Sequence, residues 1–179
     1  VLVLEQHYVA GGFSHVFKRK GYEWDVGLHY IGEVHQEQSM ARKMFDYVSN
    51  EQIEWAYMGE VYDRIRFGDD EYALRAGNEN FRSCLKGWFP NEASAIDAYI
   101  ELVIHTTRAF RNYMAEKATP KLISSLAGRR MRRPFEEIAQ KTTLEVLQGL
   151  TQNRRLIGVL CGQSGDYGLP PGQSSFGMH

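Results

Sequence analysis

An α/β chain carrying an α+β insertion is the fold class this sequence predicts, on three observations. Residues 1–5, Val1-Leu2-Val3-Leu4-Glu5, form a short apolar run closed by an acid. Ala10-Gly11-Gly12 follows almost at once. Strand-like patterns then occupy the first half of the chain and helical ones the second, the order expected where the edge of a sheet gives way to an inserted region.

The elements follow from local patterning. Residues 1–5 read as a strand buried on both faces. Residues 14–18 and 22–30 read as two strands of a hairpin, because Lys20-Gly21 offers a residue that accepts positive φ in a tight turn. Residues 36–48 place Met40, Met44, Phe45 and Val48 at helical spacing. Residues 55–67 and 71–76 are strand-like runs separated by Gly68-Asp69-Asp70, a turn composition. Residues 78–88 read as a helix stopped near Pro90. Residues 91–116 are the strongest helix, with Asn91 as its cap and Ile96, Tyr99, Ile100, Val103, Ile104 and Phe110 on its apolar face. Residues 134–148 form another, with Pro134 in its first turn and Ile138, Leu144 and Leu147 facing inward. Helix resumes over 151–161 after Gly149, and the Gly-, Ser- and Pro-containing stretch 162–172 is loop.

Composition narrows the class without naming a function. An apolar content of 43% in 179 residues supports a core, and a net charge of -1 gives no global attraction to nucleic acid. Cys84 and Cys161 have no metal spacing and build no disulfide framework. No apolar stretch approaches the length of a membrane span, so a cytoplasmic or peripheral-membrane protein is expected rather than a spanning one.

The opening strand, its acid and the glycine pair carry the chemistry. In a dinucleotide-binding sheet the second strand ends in a carboxylate that accepts hydrogen bonds from a ribose, and the phosphate turn lies roughly 20 residues earlier. Here that turn would fall before Val1, so the sequence is expected to be part of a larger nucleotide-binding chain. Gly11 and Gly12 leave room for backbone amides to approach a diphosphate. A second group is Asp25-Val26-Gly27-Leu28-His29-Tyr30: strand alternation would put Asp25, Gly27 and His29 on one face, with His29 able to donate or relay a proton. A lone strand histidine is more often structural. His29 and His35 lack a zinc pattern, and no metal site is expected. Gly162-Gln163-Ser164-Gly165 fails as a nucleophile elbow because Asp166 stands where the last glycine belongs. Arg129, Arg130, Arg132 and Arg133, beside Leu122, Ile123 and Leu126, read either as a solvated helix end or as a peripheral contact with an anionic membrane.

With those residues in hand, the chain resembles the retinol saturase branch of the FAD-dependent phytoene desaturase and carotenoid isomerase superfamily. The resemblance is carried by VLVLEQH, the AGG turn, the HVF strand and DVGLHYIG, and by the final segment from Thr142 through Gly168-Leu169-Pro170-Pro171 to Phe176-Gly177-Met178-His179. It implies a partial FAD/NAD(P)-binding Rossmann-like domain over residues 1–34 and part of a substrate-binding domain over 35–179. It implies FAD held through Glu5, Gln6, Gly11, Gly12, Asp25 and Gly27, with His29 near the reacting centre. It further implies an apolar polyene as substrate, and NAD(P)H as a candidate electron donor. Phe13 stands where many relatives carry an arginine, which removes one side-chain phosphate contact. Because flavin-binding segments of the family fall outside these residues, the 179 residues alone are expected to be inactive. Two other readings stay open on the residues themselves: a non-catalytic membrane-surface or interaction module, and an amine-oxidase-like flavoenzyme.

Overall fold

The computed structural model describes every residue except Val1, Val3 and Leu28, and leaves aside the side chains of Phe13 and Ile123. The chain is mixed α and β and divides into two compact units, Val1–Met58 and Gly59–His179. Among the described residues each unit contains one two-stranded antiparallel sheet.

In the first unit, strands β1 (Val16–Arg19) and β2 (Tyr22–Asp25) pair from Val16↔Asp25 to Arg19↔Tyr22. Lys20 and Gly21 both take positive φ, at 51° and 82°, which is the turn whose twist matches a two-residue hairpin. The expected hairpin is therefore present. Its second strand is shorter than the predicted 22–30 because its partner begins only at Val16, after a 3-10 turn over Gly12–Ser14. Helix α1 (Met40–Ser49) is capped by Ser39, whose hydroxyl accepts the Arg42 N–H, and Phe45 packs edge-on against Trp55. Met40, Met44, Tyr47 and Val48 are exposed, and Val34 is the large apolar side chain this unit buries among the described residues. The opening strand does not form. Leu2, Leu4, Glu5 and Gln6 are non-strand and exposed, since no described strand pairs with them; Val1 and Val3 lie outside the described residues.

The second unit holds the core. Strands β3 (Val61–Phe67) and β4 (Asp70–Arg75) form a hairpin closed by Gly68-Asp69. The predicted strand 55–67 starts only at Val61 because β4 ends at Arg75, its partner. Helix α2 (Asn78–Trp88) matches its expected span. Helix α3 (Ala93–Lys117) follows a 3-10 turn over Pro90–Glu92, so Asn91 lies inside that turn and does not cap the helix. Helix α4 (Lys121–Ala139) starts 13 residues before the predicted position. Pro134 therefore sits inside it rather than in a first turn. Helix α5 (Thr143–Leu150) is a separate element because Thr142 and Glu145 close a capping box, the arrangement that satisfies two orphan amides at once. Helix α6 (Arg154–Leu160) is capped by the Asn153 side chain. The stretch read as loop contains a short 3-10 turn, Ser164–Tyr167.

Leu85, Ile96, Ile100, Leu147, Leu156, Val159 and Phe176 form a continuous buried cluster. The β3–β4 hairpin reaches it at two glycines, Gly158 within α6 and Gly162 just past its end. A Cβ on Gly158 would stand 2.8 Å from the Phe67 ring, and one on Gly162 would overlap Ile65 at 2.3 Å. Neither gap has room for a methyl group. Gly158→Ala is therefore expected to cost about 1–3 kcal/mol through overpacking. A denaturant titration of this variant checks that value, and unchanged stability would show that the hairpin yields.

Candidate functional site

In the first unit the structure brings the opening acid to the glycine turn. Gly11 and Gly12 adopt φ of 104° and 52°, and a Cβ on Gly12 would lie 2.8 Å from Glu5 Oε2. The carboxylate thus rests on a surface that only glycine leaves open. Its other oxygen, Oε1, accepts the His7 N–H at 2.9 Å. Ser14 Oγ donates to Gly11 O at 2.8 Å, and His15 Nδ1 meets Gly12 O at 2.6 Å. Because a carbonyl only accepts, His15 carries its proton on Nδ1. The His7 ring lies against those of Tyr8 and His15, with centroids 4.2 and 4.3 Å away.

The remaining predicted site residues are less gathered. Asp25 ends β2, and Val26 N–H donates to His15 O at 3.2 Å, which sets that strand end beside the glycine turn. Gly27 and His29 follow outside the strand and are exposed. The predicted alternation on one strand face therefore fails for both, because β2 stops at Asp25. Leu28 lies outside the described residues. Gln6 is exposed beside the acid.

A second polar group, absent from the sequence reading, lies in the Gly59–His179 unit. Tyr99 and Tyr167 place their hydroxyls 2.9 and 3.2 Å from Nε2 and Nδ1 of His179. A neutral imidazole has one donor and one acceptor nitrogen, so one phenol donates to the ring and the other accepts from it. Burial lowers the His179 pKa from its ordinary 6.5 and raises that of Tyr99. The nearby Cys161 thiol is pushed up to about 11 by burial. A cavity of about 150 Å³ adjoins His179, walled by Val103, Thr106, Phe110 and Phe176. It is smaller than the roughly 300–1,000 Å³ of usual ligand pockets. The sequence signal was thin: Tyr99 sits on the apolar face of α3, and only its hydroxyl distinguishes it from a core phenylalanine.

The arginine run splits. Arg132 turns inward and donates to Glu116 Oε1 at 2.6 Å; Ser124 Oγ donates to the same oxygen. Glu116 is only 4% exposed, and these donors, with Ser124 first, hold its carboxyl below the usual range. Arg133 pairs with Glu137 at 2.6 Å. Arg129 and Arg130 are exposed along an open groove that His105 and Lys141 also line.

Sequence comparison places the chain among known proteins. It is 35% identical to the all-trans-retinol 13,14-reductase of Danio rerio and 34% identical to that of Homo sapiens, each over the whole of this chain. By sequence, it belongs to the all-trans-retinol 13,14-reductase family. A second Danio rerio relative, 29% identical over 98% of the chain, is named an inactive all-trans-retinol 13,14-reductase. The chain spans about a third of the length of these relatives, 31% and 30% for the first two. No family model matches it. No solved structure matches either.

Acid stability follows from the buried groups. His179 takes up a proton more readily unfolded than folded. The stability it contributes is complete above pH 6.5 and is lost as pH falls through its lowered folded value. The melting temperature of the protein is expected to decline on acidification already below pH 6.5. His179→Phe should flatten this first step and leave the later loss, where Glu116 and Asp97 protonate. Parallel melting curves for protein and variant across that range would refute the assignment.

Proposed function

We propose that these residues belong to an FAD-dependent oxidoreductase that saturates a conjugated retinoid double bond. The observation carrying this reading is similarity along the entire chain to proteins named all-trans-retinol 13,14-reductase. Desaturation and isomerisation of carotenoids use related scaffolds, and the relatives' names favour saturation over both. The fit of Glu5 against Gly12 supports a nucleotide at the first unit, because a Cβ at that glycine would meet the carboxylate. In this reading residues 1–34 belong to a Rossmann-like cofactor domain and residues 35–179 to the substrate-binding region.

Glu5, its Oε1 already held by the His7 amide, keeps Oε2 for a ribose hydroxyl. Gly11 and Gly12 would let backbone amides approach the diphosphate, and Gln6, Asp25 and Gly27 are the further residues proposed to contact the cofactor. Bound flavin supplies two-electron chemistry, with NAD(P)H the proposed source of electrons. The largely apolar cavity at His179 suits one end of an isoprenoid, and its size excludes the whole length. The exposed His29 remains the candidate for proton delivery.

The test is made on the natural polypeptide that carries these residues. Absorption bands near about 375 and 450 nm, those of a protein-bound oxidised flavin, together with reduction of all-trans-retinol at the 13,14 bond, are expected. A colourless protein that takes up no added FAD would overturn the reading.

A specific observation also favours a peripheral membrane contact. Leu122 and Leu126 on α4 are 78% and 86% exposed, and Arg129 follows on the same helical stripe with Arg130 beside it. Leucines flanked by arginines suit an anionic bilayer surface, where each cation contributes about 1 kcal/mol. Arg132 is not part of this surface, since it is spent on Glu116. Sedimentation with phosphatidylserine vesicles is expected, and Arg129→Glu with Arg130→Glu should abolish it. Equal sedimentation with phosphatidylcholine alone would exclude the charge contribution.

A further inference from the structure

The contacts around the glycine turn close a ring. Glu5 Oε1 accepts the His7 amide at 2.9 Å. The His7 ring lies on the His15 ring, centroids 4.3 Å apart and tilted by 39°. His15 Nδ1 donates to Gly12 O at 2.6 Å. Gly12 completes the circuit, with room between its Cα and Glu5 Oε2 for no side chain. Each link joins the acid to the glycine turn by a different kind of contact: a backbone hydrogen bond, a ring contact, a side-chain hydrogen bond and a steric fit.

This ring matters because the first unit has little else to hold the acid. Glu5 is exposed and lies in no strand. Neither sheet hydrogen bonds nor a core fixes its distance from the turn. A site that touches the ribose and the diphosphate of one ligand together needs that distance set in advance, because ordering it on binding subtracts from affinity. The two histidines are the side chains that set it.

We infer that His7 and His15 are positioning residues: they clasp the Glu5 carboxylate to the Gly11-Gly12 turn and so preset the spacing at which an adenine dinucleotide binds. The inference rests on the nucleotide reading of that turn. Neither imidazole need touch the ligand. His15 acts through the Gly12 carbonyl, and His7 acts through its amide on Glu5 and its ring on His15. Tyr8 closes the outer side, its ring 4.2 Å from that of His7.

The two contributions of His15 can be separated by substitution. His15→Asn keeps a donor at the place of Nδ1 and loses the ring. His15→Phe keeps the ring and loses the donor. His7→Ala removes the ring contact and keeps the amide to Glu5. FAD affinity is measured by flavin fluorescence quenching on the natural polypeptide carrying these residues. His15→Phe should weaken binding about tenfold, the worth of one positioning hydrogen bond. His15→Asn, which restores the hydrogen bond without the ring, should recover part of that loss, and His7→Ala should weaken binding by a smaller factor than His15→Phe does. A role confined to general packing would rank them the other way, with Phe better tolerated than Asn at position 15.

A second measurement is independent of ligand. Long-range ¹H–¹⁵N spectra of the 179-residue chain report which ring nitrogen of His15 holds the proton. A proton on Nδ1 supports the clasp. A neutral His15 protonated on Nε2 overturns it. Parent protein that binds no FAD would defeat the nucleotide reading and this inference with it. Parent binding matched by His15→Phe would defeat the inference alone.

Discussion

Burial of a single stripe of α3 organises the Gly59–His179 unit. Ile96, Tyr99 and Ile100 lie one helical turn apart and are each buried. They meet Leu85 of α2, Leu147 of α5, Leu156 and Val159 of α6, and Phe176 beyond it. Several short helices that would be marginal in isolation gain most of their stability from such a shared face. The stripe also carries a phenol hydroxyl into the core. Tyr99 cannot leave its hydroxyl unpaired at that depth without a desolvation penalty, and His179 answers it, with Tyr167 on the other ring nitrogen. The polar group beside the small cavity is therefore a direct consequence of placing a tyrosine where the stripe requires a large ring.

The α3–α4 hairpin poses the same problem with a charge. Glu116 is buried at the end of α3, and a buried carboxylate must be paired and hydrogen-bonded. Arg132 and Ser124 meet it, and Gly128 makes the approach possible, because a Cβ there would lie 2.8 Å from the carboxylate oxygen. One arginine of a dense basic run is thereby withdrawn from the surface. What remains exposed is a shorter set whose neighbours on the helix are leucines. The run divides because the helix has two faces: Arg132 turns inward to Glu116, and on the proposed reading the outward arginines would meet an anionic surface.

How much of this was legible in the sequence depends on whether the deciding contact is local. The β1–β2 hairpin was legible at Lys20-Gly21, because turn chemistry acts within four residues. Helix α2 was legible for the same reason, its periodicity running unbroken from Asn78 to Trp88. The residue 1–5 strand was not: an apolar run becomes a strand only with a partner to bond, and its described residues have none. Pro134 misled because proline is most common in a first turn, whereas the run from Lys121 carries the helix straight through it. In the site, Glu5, Gly11 and Gly12 were legible as a motif of acid and glycines. His7 and His15 were not, since eight positions separate them and only the folded turn puts their rings together. His179 was hidden for the stronger reason that its partner Tyr99 is 80 residues away.

The two units thus hold their geometry in different currencies. The second is fixed by packing: removing a methyl's worth of space at Gly158 or Gly162 is felt because neighbours on every side are already in contact. The first has almost no interior, and its order comes from short-range polar contacts: the Ser39 cap, the Arg42–Asp46 pair at 2.7 Å, the hairpin turn and the histidine ring around Gly12. Contacts of that kind exchange with water at small net gain, so a segment built from them sits at the low end of local stability. A ligand spanning Glu5 and the glycine turn would then add to the stability of the segment that binds it, in proportion to its concentration over its dissociation constant. On the proposed reading, the contacts around Gly12 set the spacing of acid and turn beforehand, and a bound nucleotide would add to the stability of a segment already arranged to meet it.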